Sequence, residues 1–465
     1  MALVKLSSPL RELADGSAEV RVDGSTVGEV IADLERSYPR LAGWVLDERR
    51  RIRQHVVVFL NGERAGEEAG VSPDDHMHVL PSISGGAVTA VRPETELLEQ
   101  ELEPDTEEEP TELLIGTRKG LFILRGRRGR PPEEVHRKFS GQVVEYAIKD
   151  RRTDTYFASV THGQFGPRVY RAEDPLGEWE QAAGPAFPED AGAAVERIWV
   201  VEPGFEEGVL WAGVAPAALF KSEDGGKSWN LNRALWDQPS RKDWQPGAGG
   251  LCLHSICTWP GDASRLAIGI SAAGVWLSED GGGSWRQGVR GLVPRYVPEE
   301  ARADATDLCV HKVRRMPLEP NTLYLQFHGG VYRSDDAGET WEDIGSGGGL
   351  PSDFGFPLVI DPADPDRAFV IPLRGDFDRV TPEGRVRVFE TRDRGQTWWP
   401  LTEGLPQENA YLTILRQAFT GDGKTPLGLY FGAESGEVFG SVDGGATWFT
   451  VAERLPPVVS VAVSS

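Results

Sequence analysis

Residues 222–229 read Ser-Glu-Asp-Gly-Gly-Lys-Ser-Trp, and the same eight-residue figure returns four times further along the chain. The later copies are SEDGGGSW at 278–285, SDDAGETW at 334–341, TRDRGQTW at 391–398 and SVDGGATW at 441–448. Their starts lie 56, 56, 57 and 50 residues apart, and a degenerate copy, AEDPLGEW, sits at 172–179. Self-similarity at such a period is the signature of a repeat architecture. The residue types make each copy a corner. Asp accepts backbone N–H groups within a turn, Gly adopts positive φ, and Trp buries a large apolar surface against a neighbour. These residues are therefore expected to be structural.

Working outward from a corner, each repeat reads as strand, polar loop, strand, tight turn, strand, corner, Trp strand. One repeat supplies CVHKVRRM, TLYLQF, GVYRS and TWEDI for these four strands. Second strands recur as ELLIGT, DTYFASV, GVLWAGV, RLAIGI, TLYLQF, RAFVIP and GLYFGA, which makes seven repeats. The first has no obvious innermost strand before residue 113, while the chain ends in Val458-Val-Ser-Val-Ala-Val463 with no corner after it. That segment is expected to complete the first sheet and close a ring, which removes exposed sheet edges. Composition agrees. Gly and Pro together make 88 of 465 residues, as many short strands and turns require.

The pattern S-x-D-x-G-x-[ST]-W resembles the Asp-box, or BNR, repeat of sialidases and related β-propellers. The resemblance implies that the corner joins the third and fourth strands of a blade, away from the axial pocket. The expected fold class is thus mainly β: a seven-bladed β-propeller over 113–465, preceded by a small α+β ubiquitin-like (β-grasp) domain over 1–86.

The smaller domain begins with a hairpin pattern, Leu3–Leu6 and Ala18–Val22 around a turn at Asp15-Gly16. Thr26 and Glu29 have capping-box spacing, and Val27, Val30, Ile31 and Leu34 form one apolar helical stripe ending before Tyr38-Pro39. His55–Leu60 reads as a central strand with a turn at Asn61-Gly62, and His78–Pro81 as a last strand before Ser84-Gly85-Gly86. The helix TVGEVIADLERSYP, the segment VVVFLNGE and the ending HVLPSISGG resemble the MoaD/ThiS family of ubiquitin-like sulfur carriers. The resemblance implies that the last glycine carboxylate is adenylated by an ATP-dependent activating enzyme and becomes a thiocarboxylate, or in some relatives an isopeptide bond. Two glycines lack Cβ atoms, so an extended tail can thread a narrow channel. Here Gly86 is followed by 379 further residues. Either a protease cuts after Gly86, making it and an activating adenylyltransferase the partners, or Gly85 and Gly86 simply begin a tether.

Residues 93–112 contain ten acidic and no basic side chains, within a tether set at 87–112. Such a segment repels itself and buries little. It carries about ten of the 23 net negative charges of the chain. This acidic balance excludes nonspecific nucleic-acid and anionic-membrane binding as partners. No apolar run is long enough for a membrane span, and the first residues lack a signal-peptide core. Three cysteines make no disulfide framework and show no paired metal spacing, so a reduced cytoplasmic setting is expected.

The residues expected to crowd the propeller axis are Arg118 in GTRKG, His162 in THGQFGPR, Arg197 in VERIW, His254 in LCLHSI, His311 in CVHKV, His328 in QFHGG and Arg374 in PLRGDFDR. A His/Arg ring suits an anionic or glycan ligand, or a protein partner. It also suits a metal held by neutral imidazoles, or a set of strand-end residues plugging a channel. No cofactor and no stoichiometric metal are expected. A sialidase-like glycoside hydrolase is the enzymatic alternative, with Arg197, Arg314, Arg374 and Arg416 as converging arginines, but no catalytic nucleophile can be placed. A non-catalytic binding propeller is the favoured reading.

Overall fold

The Ser-x-Asp-x-Gly-x-Ser/Thr-Trp corner is the joint that builds the larger part of the molecule. In the computed structural model, Ser222 Oγ accepts Gly226 N at 2.9 Å and donates to Asp224 Oδ1 at 2.9 Å. Asp224 in turn accepts Ser228 N at 2.9 Å and Ser228 Oγ at 2.6 Å. The same four-bond pattern recurs around Asp280, Asp336, Asp393 and Asp443. The fifth corner residue has positive φ in all five, from Gly226 at +82° to Gly338 at +99°. The degenerate copy keeps only part of this: Asp174 accepts Leu176 N at 3.0 Å, and Ala172 offers no hydroxyl.

The structure describes residues 2–6, 14, 17, 19–41, 45–46, 51–52, 56–61, 63–73, 75–81, 109–247, 249–304 and 308–464. It divides into two compact units, Met1–Asp105 and Thr106–Ser465. Of the tether expected at 87–112, residues 87–108 lie outside the described residues, as do Gly85, Gly86, Asp15, Gly16, His55 and Gly62, whereas residues 110–112 are not tether but the start of the strand Pro110–Thr117, where Glu112 is buried beside Arg125.

Among the described residues, the larger unit holds seven four-stranded antiparallel sheets, a propeller-like arrangement. Each corner connects the third to the fourth strand of its sheet, as between Ala218–Ser222 and Asn230–Leu231. The innermost strands are Val143–Asp150, Arg197–Pro203, Leu253–Trp259, Val310–Arg315, Gly355–Asp361, Phe419–Gly421 and Val458–Val463. Each contacts the next in that order, and the last contacts the first. Val458–Val463 pairs with Pro110–Thr117, so the C-terminal strand completes the sheet that begins the unit.

Tryptophans tie neighbouring sheets. Trp341 Nε1 donates to Gly288 O at 2.9 Å, and Trp398 Nε1 to Ile344 O at 2.8 Å. Both indoles are nearly buried, so each contributes area and a satisfied donor.

The smaller unit has one five-stranded sheet in the order Glu19–Val22, Ala2–Leu6, His76–Pro81, Val56–Leu60, Glu63–Arg64. Ala2–Leu6 and His76–Pro81 pair in parallel and the other pairs are antiparallel. The helix Val27–Ser37 buries Val27, Val30, Ile31 and Leu34 in this unit's core. Thr26 Oγ1 caps it by accepting Glu29 N at 3.3 Å. The Glu29 carboxylate reaches back to Ser25 N at 2.9 Å, one residue earlier than the capping-box spacing implies.

Candidate functional site

Innermost strands would line the ring centre with alternate side chains if they were regular. They are not regular. Six of the seven carry a bulge near their first residues, where pairing with the second strand slips. The residues left without a register partner include Glu145, Trp199, His254, His311, Phe356 and Val459. A bulge adds a residue and re-aims its side chain. Five of these six, all but His254, line one cavity of about 550 Å³.

The cavity wall carries four arginines, Arg118, Arg197, Arg379 and Arg416, against three carboxylates, Glu145, Asp376 and Glu434. Three arginines are matched. Arg118 Nη2 meets Glu434 Oε1 at 2.7 Å, Arg197 Nε meets Glu145 Oε1 at 3.0 Å, and Arg379 Nη2 meets Asp376 Oδ1 at 3.0 Å. Arg416 differs. Its guanidinium lies 5.2 Å from the ring centres of both Trp199 and Phe356, and its buried Nε has no hydrogen-bond partner. Among the described residues it has no carboxylate partner, although it is only 8% exposed. Burial pushes the Glu145 carboxyl up, and Arg197 and Arg118 pull it part of the way back.

Of the sequence candidates, Arg118, Arg197, His311 and His328 come together on this wall, with Arg416 from the wider arginine set. Three candidates do not line it. His162 ends a second strand, where its ring stacks 4.8 Å from Phe165 and its Nδ1 accepts Gln164 N at 3.2 Å. His254 occupies a bulge but is fully buried, with Nε2 2.9 Å from Val310 O and Nδ1 3.0 Å from Ser255 Oγ. Burial, and then the nearby Arg416 charge, hold its pKa well below the ordinary range. Arg374 points to solvent and pairs with Asp378 at 2.8 Å. Arg314 belongs to a second cavity of about 350 Å³, shared with Glu202 and Cys257, at the other end of the same innermost strand as His311.

Sequence reading missed Glu145, Trp199, Phe356 and Cys309. A signal was available in the repeat: Glu145, Trp199, His254, His311 and Phe356 follow one another at 54, 55, 57 and 45 residues. Cys309 and His311 stand two apart at the start of one innermost strand, and His328 follows the second strand of that sheet.

Comparison with known proteins divides in the same way as the chain. The model of the ThiS family matches residues 4–86. Small archaeal modifier protein 1 of Haloferax volcanii is 34% identical over 85 residues, which is 18% of this chain and 97% of that protein. Sulfur carrier protein CysO of Mycobacterium tuberculosis is 27% identical over 89 residues, 18% of this chain and 96% of that protein. A xyloglucanase of Hypocrea jecorina is 30% identical over 248 residues, a stretch longer than the whole smaller unit. That match covers 48% of this chain, and the chain spans only 27% of the xyloglucanase.

Proposed function

Because the chain belongs, through its residues 4–86, to the ThiS family, we propose that it is a sulfur-carrier or modifier domain tethered to a ligand-binding propeller. In this reading the seven sheets are seven blades of an Asp-box propeller, closed by Val458–Val463, with a small domain at 1–86, a propeller from Pro110 to the end of the chain and a tether between. The propeller binds an anionic ligand, a sugar acid or a phosphate, in its axial cavity. The observation that carries this reading is Arg416, which among the described residues has no carboxylate partner and whose buried Nε has no hydrogen bond, on a wall that already holds three matched arginines. A buried charge without a partner is costly, and an anion entering from solvent would supply one. Arg197 and Arg118 stand ready to share the anion, since each is held by a single carboxylate.

For the smaller domain, the family supports a free Gly-Gly terminus as the working end. A protease that cuts after Gly86 would expose it to an activating adenylyltransferase. Intact mass of the full chain recovered from its native host tests this. A fragment ending at Gly86, or its thiocarboxylate, is the expected product; only the uncut chain would reduce the small domain to a tethered module. The propeller reading is tested by calorimetric titration with glucuronate, N-acetylneuraminate and inorganic phosphate. Binding of one of these, lost in Arg416→Met, is expected. Equal binding by both proteins would overturn it.

A second reading, a glycoside hydrolase working in the same cavity, is favoured by the identity to the H. jecorina xyloglucanase. Glu145, with its raised pKa, is then the general acid. Release of reducing sugar from xyloglucan oligosaccharides, or of the chromophore from a sialoside, and its loss in Glu145→Gln, would promote this reading over simple binding.

A further inference from the structure

One sheet brings three metal-binding residue types to a single point of the cavity wall. Cys309 and His311 lie at the start of the innermost strand Val310–Arg315, and His328 lies just past the second strand Leu323–Phe327. His328 N donates to Cys309 O at 2.9 Å, so the two segments are tied at the backbone. The bulge between Val310 and Lys312 turns His311 out of the ladder. As a result the Cys309 thiol and one ring nitrogen from each histidine all lie within 4.8 Å of one another. All three residues face the cavity.

The groups around them hold this geometry. His311 Nδ1 sits 2.6 Å from Gly355 O, so Nδ1 carries the proton and Nε2 keeps its lone pair. The Tyr296 hydroxyl accepts Cys309 N at 2.9 Å, and the Tyr296 ring lies 4.4 Å from that of His328. Phe354 stands edge-on to both imidazoles. Asp376 Oδ2 lies 4.0 Å from His328 Nε2, beyond hydrogen-bond distance but close enough to place a negative charge beside the cluster. A carbonyl behind a ligating histidine, as Gly355 O is behind His311, sets its tautomer and direction in a metal site.

We propose that Cys309, His311 and His328 bind one zinc ion on the wall of the axial cavity, with the fourth position open to the cavity. One thiolate and two imidazoles suit zinc, and three protein ligands leave an open tetrahedral position. Calcium and magnesium take oxygen ligands, which this set lacks. The cavity wall also lacks a methionine for the long axial bond of a copper electron-transfer site. Ligand atoms of a tetrahedral zinc stand about 3.5 Å apart, so the present spacing closes by side-chain rotation of about an ångström. The site departs from the expectation of no metal, because pairing Cys309-x-His311 with His328 is a product of the sheet and not of sequence spacing. It goes beyond the anion reading and does not depend on Arg416.

The test uses the full-length chain, stripped with a chelator and titrated with zinc in competition with a chromophoric chelator, and separately with cobalt. One zinc per chain is expected, and cobalt is expected to show a thiolate-to-metal charge-transfer band in the near ultraviolet. Cys309→Ser should abolish that band with the circular dichroism unchanged, and His328→Gln should weaken zinc binding by about tenfold or more. Arg416→Met should keep both zinc and band, which separates this site from the anion site. Absence of the cobalt band in the unmodified chain overturns the proposal without any variant. So does a band that survives Cys309→Ser, since Cys252 or Cys257 would then be the ligand.

Discussion

The Lys312 ammonium donates to Gln417 Oε1 in the interior of the ring, and Gln417 Nε2 donates onward to His254 O at 2.8 Å. Lys312 is 2% exposed and Gln417 4%. The bridge joins the innermost strand Val310–Arg315 to the segment just before Phe419–Gly421, and Gln417 lines the same cavity as Arg416.

A pH dependence follows from that bridge. Burial drives the Lys312 pKa well below the usual lysine range, and the Arg314 charge adds to the effect. The unfolded chain keeps its lysine near about 10.4. Between the lowered folded value and the unfolded one, the unfolded state holds one more proton, so stability rises with pH across that window. The thermal midpoint of the larger unit should climb as pH rises toward about 10, and Lys312→Met should lose that slope. An identical slope in the variant would show that Lys312 is not the group responsible.

The corners add a dependence of the same sign at acid pH. The hydrogen bond from Ser228 Oγ, helped by backbone N–H groups, holds Asp224 down at about 2, and Ser284 lowers Asp280 in the same way. A depressed carboxylate stabilises the fold above its unfolded pKa and loses that contribution as pH falls through the folded value. Unfolding of the larger unit should therefore steepen between about pH 4 and pH 2, and Asp224→Asn should flatten the curve. Acid titration of near-ultraviolet circular dichroism reads this directly.

Two corner tryptophans should respond differently to loss of the indole N–H. Trp398→Phe leaves the Ile344 carbonyl without its donor, at a cost of about 1–3 kcal/mol beyond the lost area. Trp448 Nε1 has no hydrogen-bond partner, so Trp448→Phe removes no bond and should cost less. Guanidinium unfolding midpoints would rank the two, and a larger loss for Trp448→Phe would contradict the packing described.

Glycine is required where one repeat admits the tryptophan of the next. A Cβ on Gly404, at φ +85°, would stand 2.0 Å from Trp448 O, and one on Gly291, at φ +95°, 2.1 Å from Trp341 O. Alanine at either site combines a left-handed backbone with a backbone clash. Both variants should lower the unfolding midpoint markedly, whereas Gly375→Ala, with nothing within 4 Å, should not.

Much of this architecture was legible in residues 222–229 and their copies, because a corner is local. Ser, Asp, Gly and Trp satisfy one another within eight residues and need no distant partner to be recognised. The second strands were legible for the same kind of reason, as short apolar runs between turns, and so was the Val27–Leu34 stripe of the helix. The cavity was less legible. His254, His311 and Trp199 occupy equivalent positions, yet His254 turns into the core while the other two face the cavity. Composition of the strand says nothing about which of them will.

Sequence alone therefore determined the repeat, its corners and the ThiS-like fold ahead of it, since these depend on interactions a few residues apart. Tertiary structure decided which side chains share the axial wall. A β-bulge shifts a side chain by one register step, and only the pairing of two strands creates it. Arg416 came to lie beside Trp199 and Phe356, and Cys309 beside His328, through contacts between segments that no local pattern connects.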